Sequence, residues 1–398
     1  MEYIKRENYL NELESFKDKK IIKVISGVRR AGKSTLLMMY RDYLLKNGVN
    51  SSEIIFINFE DLENESLKDY LKLNEYISSR LVKNKINYIF LDEIQWVPSF
   101  EKTIDSLFLK SNVDIYITGS IAYFMSNELA TLLSGRYVEI RIMPLSFKEY
   151  VSATSKDLSL ETKFSNYITY SSYPYTLQFN NEDQIYTYLK GIYNTTLLKD
   201  ILQRNKIDDV NSLENLIRFI YDNIGNKLST RAITNTLVSY GTKIDAKTVD
   251  KYLNAIVNSM MVNKAARYNI SGKKILQTEE KYYVTDVSLR NILLKKNEVD
   301  FGHIIENVVY LELIRRGYEV YVGQFDKTEV DFVAFKNKSI QYIQVTSSIL
   351  NKETLLRELK PLKSIKTDYD KLIISYDNIV DGDYDGIKTT YLLRWLLN

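Results

Sequence analysis

Along the first 145 residues, short apolar runs alternate with longer amphipathic stretches. IIKVISG (21–27), EIIFINFE (53–60), NYIFLDE (87–93), DIYITGS (114–120) and YVEIRIMP (137–144) have strand length, and helical segments separate them. Strands alternating with helices predict a parallel α/β sheet. Residues 145–210 read as helices, TYLKGIYNTTLLKDILQRNK among them, with Asp200 and Arg204 four apart on one face.

From residue 211 the pattern changes. Leu213, Leu216, Ile217, Ile220 and Ile224 form one helical stripe. LSTRAITNTLVSYG begins with a Ser229 or Thr230 cap, and AKTVDKYLNAIVNSM presents Val249, Tyr252, Leu253, Ile256 and Val257 on one face. MVNKAARYNI, a Ser-Gly turn and KILQTEEKYYVTD then read as a hairpin. Helix, helix-turn-helix and hairpin predict a winged helix. The last hundred residues offer the helix FGHIIENVVYLELIRRG, the strands YEVYVGQ, EVDFVAF and SIQYIQVTS, the helix KETLLRELKPLKSI and the strand KLIISY. The expected division is therefore 1–150, a helical connector at 151–210, a winged helix at 211–298 and an α/β domain at 299–398.

Composition narrows the chemistry. At 398 residues with 45% hydrophobic side chains, the chain is long enough for several packed domains. The absence of cysteine and the single histidine, His303, exclude disulfides, Cys/His zinc sites and cysteine nucleophiles, and argue against a Ser-His-Asp triad. No run of 18 apolar residues occurs and the charged N-terminus lacks an apolar signal core, so no membrane association and a cytoplasmic location are expected. Residues 1–150 carry 21 basic and 21 acidic side chains, whereas 211–298 carry 14 basic against 8 acidic. Nucleic-acid contact is therefore expected in the later segment, although a solvated surface accounts for the same excess.

The first strand runs into GVRRAGKST, where Gly27, Gly32, Lys33 and Ser34 match G-x-x-x-x-G-K-[ST]. Glycines let the backbone curl so that N–H groups surround phosphates at a helix N-terminus. Lys33 reaches the β- and γ-phosphates in such a loop and the Ser34 hydroxyl holds Mg²⁺, which makes ATP and Mg²⁺ the expected cofactors. Arg30, Ala31 and Thr35 complete the nucleotide-binding stretch, and Arg29 and Arg30 are placed to contact phosphate or a partner. In YIFLDE, Asp92 is placed for Mg²⁺ and Glu93 for polarising water, which points to hydrolysis. Two readings fit Ser120: a γ-phosphate sensor or a helix cap. Two also fit Arg136: stabilising the transferred phosphoryl group, in its own or a neighbouring subunit, or a solvated turn residue. Trp96 is expected in the core.

These strings, VISGVRRAGKSTLL, NYIFLDEIQ, YITGS and above all LLSGRYVEIRIMPLSFKEY, resemble a family of bacterial and archaeal AAA-type ATPases with a C-terminal domain of uncharacterised function. The resemblance spans nearly the whole chain. It implies a nucleotide site of Gly27, Gly32, Lys33, Ser34, Thr35, Asp92 and Glu93, with Asn58 orienting the catalytic glutamate. Where the family usually has Gly-Gly-x-Pro, this chain has Ser171-Ser-Tyr-Pro174.

The αβββαβ order of the last hundred residues resembles the PD-(D/E)xK nuclease fold, which implies a restriction-endonuclease-like α/β domain. Asp331 matches its first acid and Glu306 the acid of its opening helix; Gln344 and Thr346 stand where the second acid and the lysine belong. A neutral amide and a hydroxyl remove one anionic metal ligand and one cation, so a degenerate site is expected. In the winged helix, Lys247, Thr248, Lys251 and Asn254 are expected to face outward, with Arg267, Lys273 and Lys274 on the wing. Duplex DNA or a protein partner would be met there. The expected protein is a DNA-associated, ATP-hydrolysing regulator of its own C-terminal half; a nucleotide switch acting through protein partners without DNA, or an ATP-gated nuclease, is the alternative, and self-association is left open.

Overall fold

A computed structural model describes residues 3–119, 133, 135–294, 300–378 and 381–398, apart from the side chain of Gln277. The chain divides into two compact units, Met1–Pro144 and Leu145–Asn398.

The first unit holds β1 (Ile22–Gly27), β2 (Ile54–Asn58), β3 (Asn87–Asp92), β4 (Val113–Thr118) and β5 (Tyr137–Ile142). They form one parallel sheet in the order β2-β3-β4-β1-β5. Every residue of β1 and β3 is buried, as expected of parallel strands covered on both faces. Helices α1 (Glu7–Ser15), α2 (Lys33–Lys46), α3 (Tyr70–Arg80) and α4 (Phe100–Phe108) accompany the sheet. An aliphatic core including Val24, Ile57, Leu91, Ile104 and Leu107 forms one cluster, and Phe90 stacks on Tyr116 at 4.8 Å between ring centres. Because β3, β4 and β1 are neighbours and parallel, their carboxyl ends share one edge of the sheet, where open α/β sheets bind ligands.

At the opposite end, Lys23 of β1 is buried in an ion pair with Asp114 of β4. The Tyr116 hydroxyl and the Asp18 N–H donate to the second Asp114 oxygen at 2.8 and 2.9 Å. Trp96, expected inside, is exposed, with the Lys68 ammonium 5.6 Å from its ring centre.

In the second unit, helices Phe147–Ala153, Leu160–Tyr170 and Glu182–Thr195 are followed by a widened helical turn at Thr196–Gln203. Helix Val210–Asp222, the short β6 (Lys227–Leu228), helices Thr230–Ser239 and Ala246–Asn258, and the hairpin β7 (Val262–Asn269) and β8 (Lys274–Val284) come next. Helix Phe301–Arg315 then leads to β9 (Glu319–Phe325), β10 (Thr328–Lys336) and β11 (Ser339–Thr346). Helix Lys352–Ser364, β12 (Asp370–Ser375), β13 (Gly382–Tyr384), β14 (Ile387–Tyr391) and helix Leu392–Leu397 complete the chain. The strands form one nine-stranded sheet, β13-β14-β12-β11-β10-β9-β7-β8-β6. Parallel pairing of β7 with β9 carries this sheet across the boundary expected at residue 298.

The Ser171–Pro174 element makes its turn without glycine. Ser171 takes φ 123°, a region that side chains disfavour, and Asp286 holds it there. The buried Asp286 carboxylate accepts from the Ser171 hydroxyl (3.0 Å), the Ser172 N–H (2.8 Å) and hydroxyl (2.6 Å), and the Ser288 N–H (3.0 Å). Asp286→Ala strands these donors and releases the strained turn. It is expected to lower the unfolding free energy by about 3 kcal/mol, measured by urea denaturation, and a loss under about 1 kcal/mol would contradict this.

Candidate functional site

The nucleotide-binding stretch begins where β1 meets β5. Gly27 has φ 152°, and a side chain there would stand 2.3 Å from both the carbonyl oxygen and a methyl of Ile142. Its lack of a Cβ is therefore required by strand packing as well as by loop curvature. Arg30 (φ 67°) and Gly32 (φ 101°) bend the chain through left-handed conformations, and α2 begins at Lys33. The result is a loop that runs straight into a helix N-terminus, a ready anion site. The Lys33 ammonium donates to the Gly27 carbonyl at 3.1 Å, so it already lies over the loop.

At the end of β3, Asp92 is buried. Its Oδ1 accepts from the Ser34 hydroxyl at 3.1 Å and from the Thr118 hydroxyl. Burial pushes the Asp92 carboxyl above its ordinary range, and the Thr118 and Ser34 hydrogen bonds pull it back. Its Oδ2 is buried with no hydrogen-bond partner. A buried orphaned carboxylate oxygen beside a phosphate-loop serine suits a Mg²⁺ ion, which needs one or two carboxylates and a phosphate ligand. Glu93 is in a left-handed conformation (φ 57°, ψ 46°), strain of the sort active sites hold. Its N–H donates to the Thr118 hydroxyl at 2.9 Å, and its carboxylate accepts from the Gln95 amide.

Thr118 thus joins Asp92 to Glu93. Sequence reading passed over it for Ser120, which lies outside the described residues. The signal was available: Thr118 ends the strand beside the aspartate strand. The Asn58 side-chain oxygen accepts from the Glu60 N–H at 2.8 Å, while the Glu93 carboxylate takes its hydrogen bond from Gln95.

Arg136 requires a correction. Its carbonyl accepts from the N–H of Ile22, the first residue of β1, while the phosphate loop leaves the last. Six residues of strand, about 16 Å, separate the two ends. Its guanidinium pairs with Asp105 at 3.4 Å and lies over the Phe108 ring. Arg136 is therefore out of reach of a phosphate held in its own loop, which leaves it as a residue for a neighbouring chain's site or as a solvated turn residue.

Of the four residues singled out in the last segment, Glu306, Asp331 and Gln344 come together, with others that sequence reading missed. The Gln344 Oε1 accepts from the Asp331 N–H at 2.8 Å, and its amide donates to Glu358 at 2.9 Å. Asp331 Oδ2 accepts from the Val345 N–H at 2.8 Å, and the Thr346 hydroxyl donates to the Ser348 carbonyl at 3.2 Å. A buried cation reaches this cluster from β8. Lys281 is buried and bonds Glu306 at 2.9 Å and Glu329 at 2.7 Å; Glu329 also pairs with Lys227. The Tyr283 hydroxyl donates to Glu306 at 2.6 Å. Burial disfavours the Lys281 charge, but Glu306, Asp331 and Glu329 outweigh it and raise its pKa. Burial and the charge of Glu306 push the Asp331 carboxyl well above its ordinary range. Among the described residues, no three Asp, Glu, His or Cys side chains converge to hold a metal.

Lys247, Lys251 and Asn254 are exposed on helix Ala246–Asn258, and Lys273 and Lys274 at the hairpin turn. Asp245 and Asp250 are interspersed among them, which dilutes the basic face. Arg267, expected on the wing, is buried and bonded to Glu279 and Gln324. It holds the hairpin to β9 and is unavailable to a phosphate.

A phosphate loop entering a helix, a strand-end Asp-Glu pair and a parallel β2-β3-β4-β1-β5 sheet define an AAA-type P-loop ATPase fold. Residues 19–151 match the model of the AAA domain, and 161–300 that of a domain of unknown function, DUF8612. The chain belongs to the same family as an uncharacterised Haemophilus influenzae protein, which is 40% identical over 99% of this chain and 98% of that one. An uncharacterised Methanocaldococcus jannaschii protein is 29% identical over 94% of this chain and 88% of its own length. A Walker-type ATPase of Pyrococcus abyssi shares the fold at 16% identity and a TM-score of 0.50, over 73% of this chain and 96% of that one. No helix among the described residues is long and apolar enough to cross a membrane.

Two substitutions test the acidic pocket. Lys281→Met leaves Glu306 buried without its cation and is expected to cost about 3–5 kcal/mol in urea denaturation; Lys281→Met with Glu306→Gln should recover part of that. Asp331 provides a pH test. The folded protein keeps a proton that the unfolded chain releases above about pH 3.9, so stability from this group falls as pH rises through the raised value. Asp331→Asn, which still accepts from the Val345 N–H, is expected to be more stable than wild type at pH 8, and the difference should shrink or vanish towards pH 4.

Proposed function

We propose that this protein is a Mg·ATP hydrolase whose nucleotide state regulates its C-terminal unit. The observation that carries this reading is the orphaned Asp92 oxygen beside Ser34, with Glu93 tied to the same cluster through Thr118. Ser34 and Asp92 would hold Mg²⁺, which when bound neutralises charge on the phosphates. Lys33 and the loop N–H groups bind the β- and γ-phosphates, Glu93 polarises the attacking water, and Gln95 orients Glu93. Arg136 acts on ATP held by a second copy of the chain, since its own loop is out of reach.

Helix, short strand, two helices and hairpin in residues 210–284 support a winged helix, and Lys247, Lys251, Lys273 and Lys274 offer it phosphate contacts. Duplex DNA is the proposed partner; a protein partner is the alternative. The αβββαβ element order of residues 301–375 supports a PD-(D/E)xK-like fold without its chemistry. Gln344 cannot supply a second anionic ligand, and Lys281 neutralises Glu306, which disfavours metal-dependent cleavage there.

Steady-state ATP hydrolysis with and without duplex DNA tests the reading. Lys33→Ala should abolish tight nucleotide binding, and Glu93→Gln should bind ATP and stop turnover; wild-type turnover in Glu93→Gln would reject its role. Mixing Lys33→Ala with Arg136→Ala should restore hydrolysis that neither shows alone, and no recovery would reject action between subunits. DNA affinity should fall with salt at a log–log slope of about −0.9 per phosphate contact; a slope near zero favours the protein-partner alternative.

A further inference from the structure

Arg6 belongs to no motif and precedes α1, yet it is buried, 4% exposed. Its guanidinium donates to the Ala31 carbonyl at 3.1 Å and to the Met143 carbonyl at 2.7 Å, and lies 4.9 Å from the centre of the Tyr9 ring. Ala31 is in the phosphate loop; Met143 follows the last residue of β5. The Met143 N–H in turn donates to the Tyr9 hydroxyl at 3.1 Å. Both polar backbone groups of Met143 are thus held by the N-terminal segment, and the same arginine reaches the loop.

The Ala31 carbonyl shares its peptide unit with the N–H of Gly32. A peptide unit is planar and trans, so its C=O and N–H point in opposite directions. Arg6, by holding the Ala31 oxygen, turns the Gly32 N–H away from itself, at the start of α2. Gly32 lacks a Cβ and sits at φ 101°, a residue with wide backbone freedom, so an external tie has a conformation to select. The other end of the loop needs no such tie, because Gly27 is already pressed against Ile142.

We propose that Arg6 is a positioning residue of the nucleotide site: it orients the Ala31–Gly32 peptide so that the phosphate cradle is formed before ATP arrives. Pre-organisation of this kind acts on binding more than on the chemical step. The inference rests on the nucleotide reading above. It also gives the segment before β1 a place in that site.

The test is steady-state ATP hydrolysis, with titration of a fluorescent ATP analogue into proteins that also carry Glu93→Gln to remove turnover. Arg6→Ala is expected to raise KM and the analogue's Kd about tenfold, with kcat within about threefold of wild type. Arg6→Lys can reach one carbonyl but not both and should fall between. Tyr9→Phe frees the Met143 N–H while keeping the ring beside the guanidinium; it should lower the melting temperature and leave KM near wild type. A folded Arg6→Ala with unchanged KM overturns the proposal, as does a loss confined to kcat or an equal rise in KM for Tyr9→Phe. If Arg6→Ala does not fold, Arg6→Lys must still show the raised KM for the proposal to stand. A wild type that binds no analogue overturns the nucleotide reading and this proposal with it, a result distinct from normal binding in every Arg6 variant.

Discussion

The close approach of β1 to β5 is the constraint on which the first unit depends. Gly27 lies against the Ile142 backbone with no room for a side chain, and β1 is paired on its other edge to β4. With both edges and both faces taken, β1 cannot shift without breaking two ladders and the buried Lys23–Asp114 pair, whose loss of either partner is costly. That fixed strand aims the phosphate loop at the carboxyl edge where β3 delivers Asp92 and β4 delivers Thr118. The same geometry removes Arg136 to the far edge.

The second unit is organised by charge in a different way. Lys281 and Lys227 come from the segment expected to be a winged helix, whereas Glu306, Glu329 and Asp331 come from the nuclease-like segment. Their pairing spans the two, and so does the β7–β9 ladder. The buried Lys281 ammonium compensates the carboxylates of the neighbouring segment and so makes their cluster a joint between the two. Burying such a network adds little net stability, but it penalises any arrangement that leaves one partner behind, which favours a single register for the nine-stranded sheet.

The parts of this protein legible in the sequence are those made of contiguous residues. The loop from Gly27 to Thr35, the Asp92-Glu93 pair after an apolar strand, and the helix and strand order of both units all follow from local spacing, because phosphate binding and secondary structure are short-range demands. Only the tertiary structure decided which distant side chains meet. Thr118 bridges Asp92 and Glu93 because β3 and β4 are adjacent; Arg6 reaches Ala31 because the first residues fold back over the loop. Lys281 neutralises Glu306 because one sheet continues through both segments, and Arg136 faces away because a parallel strand puts its two ends about 16 Å apart. Sequence periodicity reports which face of an element is buried, but not which element lies across from it.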